Sequence, residues 1–137
     1  MRWFRRKEKT HLRRIAAYCN INNDDSYSAL CEHYVGLISE NQDMVLVGMY
    51  RDEKTPGRNI DNRPGLNRLI QDCEDGRVDV VMISTISQLS RNIVECYKVI
   101  RELRKHDVRV IFEKEQIDSE VPWAGFDSKP IYELLGI

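Results

Sequence analysis

The chain has 137 residues, of which 42% are hydrophobic and 31% are charged, a composition typical of one soluble globular domain. No apolar run approaches the roughly 20 residues of a membrane helix, and no apolar segment of a secretory signal follows the basic N-terminus. We therefore expect a cytoplasmic protein that makes no contact with membranes.

The formal net charge of −1 conceals an uneven distribution. Residues 1–14 carry seven Lys or Arg and one Glu, a net charge of +6, which leaves −7 for the rest of the chain. A basic arm over residues 1–12 could bind DNA phosphates, or it could simply be a solvated terminus. The candidate DNA contacts in the arm are Arg2, Arg5, Arg6 and Lys7.

The four cysteines, Cys19, Cys31, Cys73 and Cys96, are dispersed and form no CxxC pair. Each lies beside apolar residues in a predicted strand or helix, which favours buried free thiols over disulfides or metal ligands. We predict no metal and no other cofactor.

The first predicted strand, residues 13–19, opens into a polar cluster at residues 20–25. Asn and Asp side chains bond to nearby backbone and favour turns, and α/β folds place ligands where parallel strands end in such loops. We therefore expect the floor of an active site here. Between Tyr18 and Asp25, the only Ser, Thr, Cys, His or Lys is Cys19, which lies in the apolar run, so the loop offers no nucleophile.

A helix is predicted next, capped by Ser26 or Ser28 and running to about Asn41. Its apolar face consists of Leu30, Tyr34, Leu37 and Ile38. Residues 44–50 then form a short continuous apolar run of the kind found in parallel strands. The charged loop 51–63 contains a Pro56-Gly57 turn signal, and its length indicates mobility or function.

Pro64 suits the first turn of a second helix, and Gly76 suits its end. The buried face of this helix is predicted to be Leu66, Leu69, Ile70 and Cys73. Residues 78–83 are the third strand, and the polar segment 84–91 follows it.

Asn92 with Glu95 indicates the start of another helix. Its predicted buried stripe consists of Ile93, Tyr97, Ile100 and Leu103. Residues 108–112 are the fourth strand, and residues 113–115 are interpreted as its solvated end. Strand and helix thus alternate four times, which predicts an α/β fold with three layers and a mostly parallel central sheet of about four strands. This domain covers residues 13–118, and a short irregular tail covers residues 119–137.

Four segments together resemble the serine recombinases, the resolvase/invertase family, and especially its large-serine branch. Residues 18–24, Tyr-Cys-Asn-Ile-Asn-Asn-Asp, resemble the family's Tyr-Cys-Arg-Val-Ser-Thr-Asp signature. Residues 52–65 are similar to its Asp-Glu, Ser-Gly and Arg-Pro-Gly loop. Residues 86–92 and 112–118 resemble its Ile-Ser-Arg-Phe-Ala-Arg-Asn and Phe-Glu-Lys-Glu-Asn-Ile-Asp segments. The four segments occur in the family's order over about residues 13–118.

The resemblance implies a resolvase-like domain and a chemistry acting on DNA. In that family a serine attacks a DNA phosphodiester and forms a 5′-phosphoserine bond, while arginines neutralise the phosphate. Subunits then exchange strands by rotating.

Carried onto this chain, the family's active-site pattern is damaged. The nucleophile's position falls on Asn22, and the arginine two residues earlier falls on Asn20. The loop serine falls on Pro56, the first arginine of the helix-start motif falls on Gln88, and the glutamine of the first helix falls on His33. The matching positions that keep the family's residue are Tyr18, Arg63, Ser87 and Arg91.

These retained residues have simpler alternative roles. Arg63 and Arg91 are candidate DNA contacts, or they could be surface arginines at helix ends. Ser87 and Ser90 could serve only as helix caps, and Tyr18 could serve only packing.

The resemblance predicts a catalytically inactive serine-recombinase homologue that acts as an accessory or regulatory partner in DNA recombination. Its expected partners are DNA, bound weakly and without sequence preference, and an intact serine recombinase. The tail is shorter than the family's dimer helix, so we expect a monomer or weak dimer. The alternatives are an active recombinase fragment with an atypical nucleophile, such as Ser26 or Ser28, and a mobile-element remnant without function.

Overall fold

A computed structural model describes residues 12–53 and 62–119 of the chain. The strands are β1 (Arg13–Asn20), β2 (Met44–Asp52), β3 (Val80–Ile83), β4 (Arg109–Phe112) and β5 (Ile117–Asp118). The helices are α1 (Asp24–Ser39), α2 (Pro64–Glu74), α3 (Ile86–Leu89) and α4 (Ile93–Lys105).

The strands form one sheet in the order β2-β1-β3-β4-β5. The first four strands are mutually parallel, and the two-residue strand β5 pairs antiparallel with β4. The prediction of a mostly parallel α/β sheet is confirmed, with five strands in place of about four. Because the sequence of β5 is so short, it carries no apolar alternation from which a strand could be predicted.

The sheet has an apolar layer on each face, as a three-layer fold requires. On one face, Ala16 and Tyr18 pack with the buried residues of α2 and α4. On the other face, Ile15 and Ala17 pack with the apolar side of α1. Among the described residues, no helix is both long enough and apolar enough to cross a bilayer.

Two helix boundaries follow the predicted signals. Pro64 is the first residue of α2, and Gly76 lies just past its end with φ +74°, a conformation that favours glycine. Asn92 caps α4, because its side-chain oxygen accepts bonds from the backbone N–H groups of Val94 and Glu95.

Two details of the helix predictions are wrong. The cap of α1 is Asn23, whose side chain accepts from the backbone N–H of Ser26, so neither Ser26 nor Ser28 is the cap. Ile93 is 52% exposed. The buried stripe of α4 consists of Cys96, Val99, Ile100 and Leu103.

The cysteines are free thiols, and three of the four are buried. Burial raises the pKa of Cys19 to about 11, of Cys73 to about 12 and of Cys96 to about 11. These three thiols therefore stay protonated at neutral pH and behave as core residues. Cys31 is half-buried, so the prediction of buried thiols is wrong for this position.

A buried ion pair attaches β5 to the start of β4. The guanidinium Nε of Arg109 donates to both carboxylate oxygens of Asp118, at 2.9 and 2.8 Å. Both residues are 7% exposed. Removing one partner would leave the other charge buried and uncompensated, which is far more costly than losing an exposed pair.

We predict that Asp118→Ala lowers the free energy of unfolding by about 3–5 kcal/mol. Glu102→Gln, which removes an exposed pairing with Lys105 and His106, should lower it by less than about 1 kcal/mol. Urea unfolding at neutral pH measures both values. Equal losses in the two variants would contradict a special role for the buried pair.

Candidate active site

Polar residues gather at the edge of the sheet where the parallel strands end. The chain passes from β1 to β2 on one side and reaches β3 on the other, so the strand order reverses around β1. Such a reversal opens a crevice at the carboxyl ends of the strands. The loop after β1, the end of β2, the start of α2 and the short helix α3 all lie at this edge.

Asp52, the last residue of β2, is the centre of this edge. It is 5% exposed. Its carboxylate accepts from the hydroxyl of Tyr18 at 2.8 Å and from the backbone N–H groups of Gly65 and Leu66 at 2.7 and 2.9 Å. The carboxylate thus satisfies two of the otherwise unpaired donors at the start of α2 and lies at the positive end of that helix. It takes the place of a helix cap, since Arg63 at the cap position makes no side-chain cap bond.

Tyr18 donates to Asp52 from a fully buried position in β1. Burial, and next the bond to Asp52, raises the pKa of Tyr18 well above its usual range. Its hydroxyl therefore remains protonated at neutral pH and acts as a fixed donor. Tyr18 packs in the core and also joins β1 to β2 through Asp52, so packing is not its only role.

Gly65 allows α2 to begin this close to β2. A Cβ at this position would lie 2.4 Å from the carbonyl oxygen of Arg51 and 3.0 Å from the nearer carboxylate oxygen of Asp52. The first of these contacts is with backbone, which cannot rotate away. Any side chain at position 65 would therefore push the helix off the Asp52 carboxylate.

Asn20 and Gln88 form a neutral contact. The side-chain oxygen of Gln88, in α3, accepts from the backbone N–H of Asn20 at 2.8 Å. The side-chain oxygen of Asn20 is buried, and no described residue donates to it. The two positions to which the resemblance assigns arginines thus hold uncharged amides, one of which bonds to backbone.

Arg51 holds the loop that contains Asn22. Its guanidinium donates to the carbonyl oxygens of Ile21 and Asn22, both at 3.0 Å, and to the carboxylate of Asp24 at 2.9 Å. It also lies 4.5 Å from the ring centroid of Tyr27, a cation–π distance. Asn22 itself is exposed. Arg51 was not among the predicted site residues, because its role depends on contacts about 30 residues away in sequence.

The two retained arginines occupy different environments. Arg63 is 7% exposed, and its guanidinium donates to the carbonyl of Leu89, which ties the start of α2 to the end of α3. The alternative of a surface arginine is therefore wrong for Arg63. Arg91 is exposed in the turn between α3 and α4.

The hydroxyls of Ser87 and Ser90 do not cap the start of a helix, although Ser90 is the residue at the C-terminal cap of α3 and its backbone N–H donates to the carbonyl oxygen of Ile86. The hydroxyls of Ser87 and Thr85 contact each other at 3.0 Å. Ser90 is buried, and its hydroxyl accepts from the backbone N–H of Asn92 at 2.9 Å. Thr85 occupies the cap position of α3, and no side-chain bond caps the helix from there.

The prediction that residues 113–115 are a solvated end of β4 is wrong. The carboxylate of Glu115 accepts from the backbone N–H of Ile86 at 3.0 Å, at the start of α3. The carboxylate of Glu113 lies 2.9 Å from the ring nitrogen Nε2 of His33. Only Lys114 between them is exposed. The sequence held no signal for the Glu115 contact, because Thr85 is a residue type that commonly caps helices, and only the structure shows that it makes no side-chain cap bond and leaves the first N–H groups of α3 to another acceptor.

The remaining predicted site residues lie outside the described part of the chain. These are Pro56 and the N-terminal residues Arg2, Arg5, Arg6 and Lys7. One group of possible metal ligands, Glu74, Glu102 and His106, has ligand atoms within 4.8 Å of one another. It lies at the ends of α2 and α4, on the opposite edge of the sheet from Asp52.

The family model described as "Resolvase, N terminal domain" matches residues 19–126. The N-terminal catalytic domain of TP901-1 integrase is similar in structure, with a TM-score of 0.66 and 20% identity over 90% of this chain and 89% of that one. A resolvase family site-specific recombinase from Streptococcus pneumoniae gives a TM-score of 0.67 and 21% identity over 90% and 83% of the two chains.

The C-terminal catalytic domain of ISC1926 TnpA, an IS607-like serine recombinase, is also similar, with a TM-score of 0.60 and 20% identity over 72% and 67% of the two chains. At these identities the structural likeness shows the fold alone. A comparison with curated protein sequences gave no match.

We predict that Asp52→Ala lowers the free energy of unfolding by about 3–5 kcal/mol, because it leaves three buried donors unsatisfied. Tyr18→Phe removes one bond and should cost about 1–2 kcal/mol. Asp24→Ala is the matched control, since it deletes an exposed carboxylate with one described partner, Arg51. Urea unfolding measures all three, and a loss in Asp52→Ala no larger than that in Asp24→Ala would contradict the central position of Asp52.

Proposed function

This chain belongs to the resolvase family of serine recombinases, and we propose that it takes part in DNA recombination as a partner that does not itself cleave DNA. The proposal rests on Asn22, which the resemblance assigns to the position of the family's nucleophilic serine. We assign the resolvase-like domain to residues 13–118.

The nucleophile position decides the chemistry. A serine oxygen becomes a nucleophile when its proton is removed, and it then forms a phosphoester bond as the DNA oxygen departs. The amide of Asn22 has no hydroxyl oxygen to give, because its only side-chain oxygen is a carbonyl oxygen, and the lone pair of its nitrogen is delocalised into that carbonyl group. Without a nucleophile the covalent pathway is lost, whatever the other residues contribute.

The charges around the position support the same conclusion. A phosphate in a pentavalent transition state needs donors and cations that are already in place. Here Asn20 and Gln88 are neutral, and the Gln88 side-chain oxygen is bonded to the Asn20 backbone. Losing one such donor costs about 3–4 kcal/mol of transition-state stabilisation, and losses within one site do not simply add.

The buried position of Arg63 also fits a structural role. Its guanidinium donates to the Leu89 carbonyl, inside the contact between α2 and α3. Arg91 is exposed and is the retained arginine best placed to meet an anion in solution. One exposed cation is a weak phosphate site, because most of the attraction is screened by water and salt.

The alternative of an active fragment needs another nucleophile. Ser26 and Ser28 lie within α1, beyond the cap at Asn23, and both are exposed. The backbone N–H of Ser26 is bonded to the Asn23 side chain, which fixes this turn as helix. Neither serine belongs to the loop that Arg51 holds, so the arrangement favours the inactive partner.

The alternative of a remnant without function predicts random damage. Both apolar layers of the sheet are complete in the described residues, while the substitutions fall at the strand ends. A polar substitution in the core costs several kcal/mol out of a total stability of about 5–15 kcal/mol. An intact core therefore supports a folded product that is still in use.

We predict that the protein forms no covalent adduct with DNA. The test incubates it with supercoiled plasmid in ethylene glycol, which traps cleaved intermediates in this family, and probes for protein attached to DNA ends. An intact serine recombinase serves as the positive control. A phosphoserine adduct on any residue of this chain would overturn the proposal.

We also predict that Asn22→Ser stays inactive in the same assay. The new hydroxyl would face a phosphate that Asn20 and Gln88 leave unneutralised. Nicking by this single variant would show that the missing arginines matter less than we propose.

The accessory role makes its own prediction. At micromolar concentration the chain should be a monomer or weak dimer, and it should bind the catalytic domain of an intact serine recombinase more tightly than it binds itself. Analytical ultracentrifugation of each protein alone and of the mixture measures this. A tight self-dimer, or no heavier species in the mixture, would rule out the accessory role and favour the remnant.

A further inference from the structure

Three side chains of the kinds that bind metals meet where α2 and α4 end. Glu74 is the last residue of α2, Glu102 lies near the end of α4, and His106 is the residue at the C-terminal cap of α4. One ligand atom from each lies within 4.8 Å of the other two, and within the described ranges this is the one such group. We call these three residues the Glu-Glu-His cluster. It is separate from the edge around Asp52.

The packing of α2 and α4 fixes the backbone that carries the cluster. Cys73 and Leu103, the sequence neighbours of Glu74 and Glu102, are each 1% exposed and belong to the same apolar core. Buried neighbours of this kind hold both helices in one position. Glu102 and His106 are four residues apart, so their side chains lie on the same side of the helix. Ligands carried by packed helices are placed more precisely than ligands carried by loops.

The distance between two of the ligand atoms suits a metal of the size of zinc. The Oε2 atom of Glu102 lies 3.3 Å from Nε2 of His106. Zinc binds oxygen and nitrogen at about 2.0–2.2 Å, so two ligands at the tetrahedral angle are about 3.3–3.6 Å apart. The other carboxylate oxygen, Oε1, faces Nζ of Lys105 at 3.7 Å, which leaves Oε2 for a metal. A hydrogen bond between Glu102 and His106 would explain their distance, but it does not explain why Glu74 joins them.

The charges at the end of α2 favour a bound cation. The last turn of a helix stabilises cations and disfavours carboxylates. However, α2 has no basic residue in its last turn, and its end carries Asp72, Glu74 and Asp75. Asp72 and Asp75 accept hydrogen bonds from described side chains, whereas Glu74 meets a second carboxylate, that of Glu102. Lys105 offsets little of this repulsion, because its side chain is 58% exposed and water screens such a pair.

We propose that the Glu-Glu-His cluster binds a divalent transition metal of the zinc class. One imidazole nitrogen and two carboxylate oxygens form a ligand set that Zn²⁺ accepts, whereas Mg²⁺ and Ca²⁺ take oxygen ligands and more of them. Three protein ligands leave a fourth tetrahedral position for water. The metal links the end of α2 to the end of α4, and because it binds the folded chain it stabilises the domain.

This proposal reverses our prediction from the sequence that the chain binds no metal. That prediction rested on the dispersed cysteines, and the three ligands of the cluster come from two helices that are far apart in sequence. The proposal is independent of Asn22, of strand cleavage and of the function proposed above.

Isothermal titration calorimetry of the full, untagged chain with zinc chloride tests the site, in a buffer that does not bind metals. We expect one zinc ion per chain. Glu102→Gln and His106→Ala should each weaken binding at least about tenfold, since even the loss of a group that orients a metal ligand costs about 10–100-fold. The matched control is His33→Ala. It deletes the other described histidine, which lies beside one carboxylate, that of Glu113, and it should leave zinc affinity unchanged.

A second measurement uses the unaltered chain and so does not depend on how the variants fold. In NMR spectra of the histidine side chains, zinc should shift the imidazole signals of His106 and leave those of His33 in place. Circular dichroism checks that each variant is folded, and covalent trapping tests the proposed function separately.

Three results would overturn the proposal. The first is a dissociation constant for zinc weaker than about 1 mM. The second is unchanged affinity in His106→Ala, which would show that zinc is held elsewhere on the chain. The third is an equal effect of zinc on His33 and His106, in affinity or in the NMR signals, which would show that zinc binds histidines without preference for the cluster.

Discussion

The carboxylate of Asp52 is the constraint on which the rest of this edge depends. It joins three elements that the chain brings together from far apart: β1 through Tyr18, β2 through its own backbone, and α2 through two N–H groups. A buried carboxylate is stable only when its lone pairs are satisfied, so its three partners must keep their positions. Gly65 makes the geometry possible, because no larger residue fits between α2 and β2.

At this edge, the residues that hold the strands and helices together differ from the residues to which the resemblance assigns the reaction. The contacts that assemble the scaffold are present, whereas the positions to which the resemblance assigns a nucleophile and two arginines carry Asn22, Asn20 and Gln88. The Gln88 side chain is bonded within the protein instead of projecting a charge. The guanidinium of Arg51 likewise donates to carbonyl oxygens within the protein, those of Ile21 and Asn22. In the function that we propose, such a domain is a stable surface for DNA or protein and does not cleave DNA.

The sequence predicted the larger features and missed contacts between distant segments. The alternation of strands and helices predicted the α/β fold, and Pro64 and Asn92 predicted where two of the helices begin. Each of these is a local signal in the sequence. The apolar periodicity of α4 wrongly predicted that Ile93 is buried. An apolar residue at the start of a helix can face solvent, and here Cys96 faces the core instead. The bond from Glu115 to α3 spans 29 residues, and no local pattern encodes such a contact, so its role emerged only from the structure.

Native-state hydrogen exchange of individual amides tests the role of Asp52 most directly. The N–H groups of Gly65 and Leu66 lie in the first turn of a helix, where amides usually exchange quickly. Because these two amides donate to a buried carboxylate, we predict that they are protected from exchange as strongly as the amide of Ile15 in β1. They should then exchange only when the whole domain unfolds. The amide of Val94 is the internal reference. Its N–H also donates to a capping side chain, that of Asn92, but this hydrogen bond is exposed to solvent. Exchange of Gly65 and Leu66 as fast as that of Val94 would contradict the account.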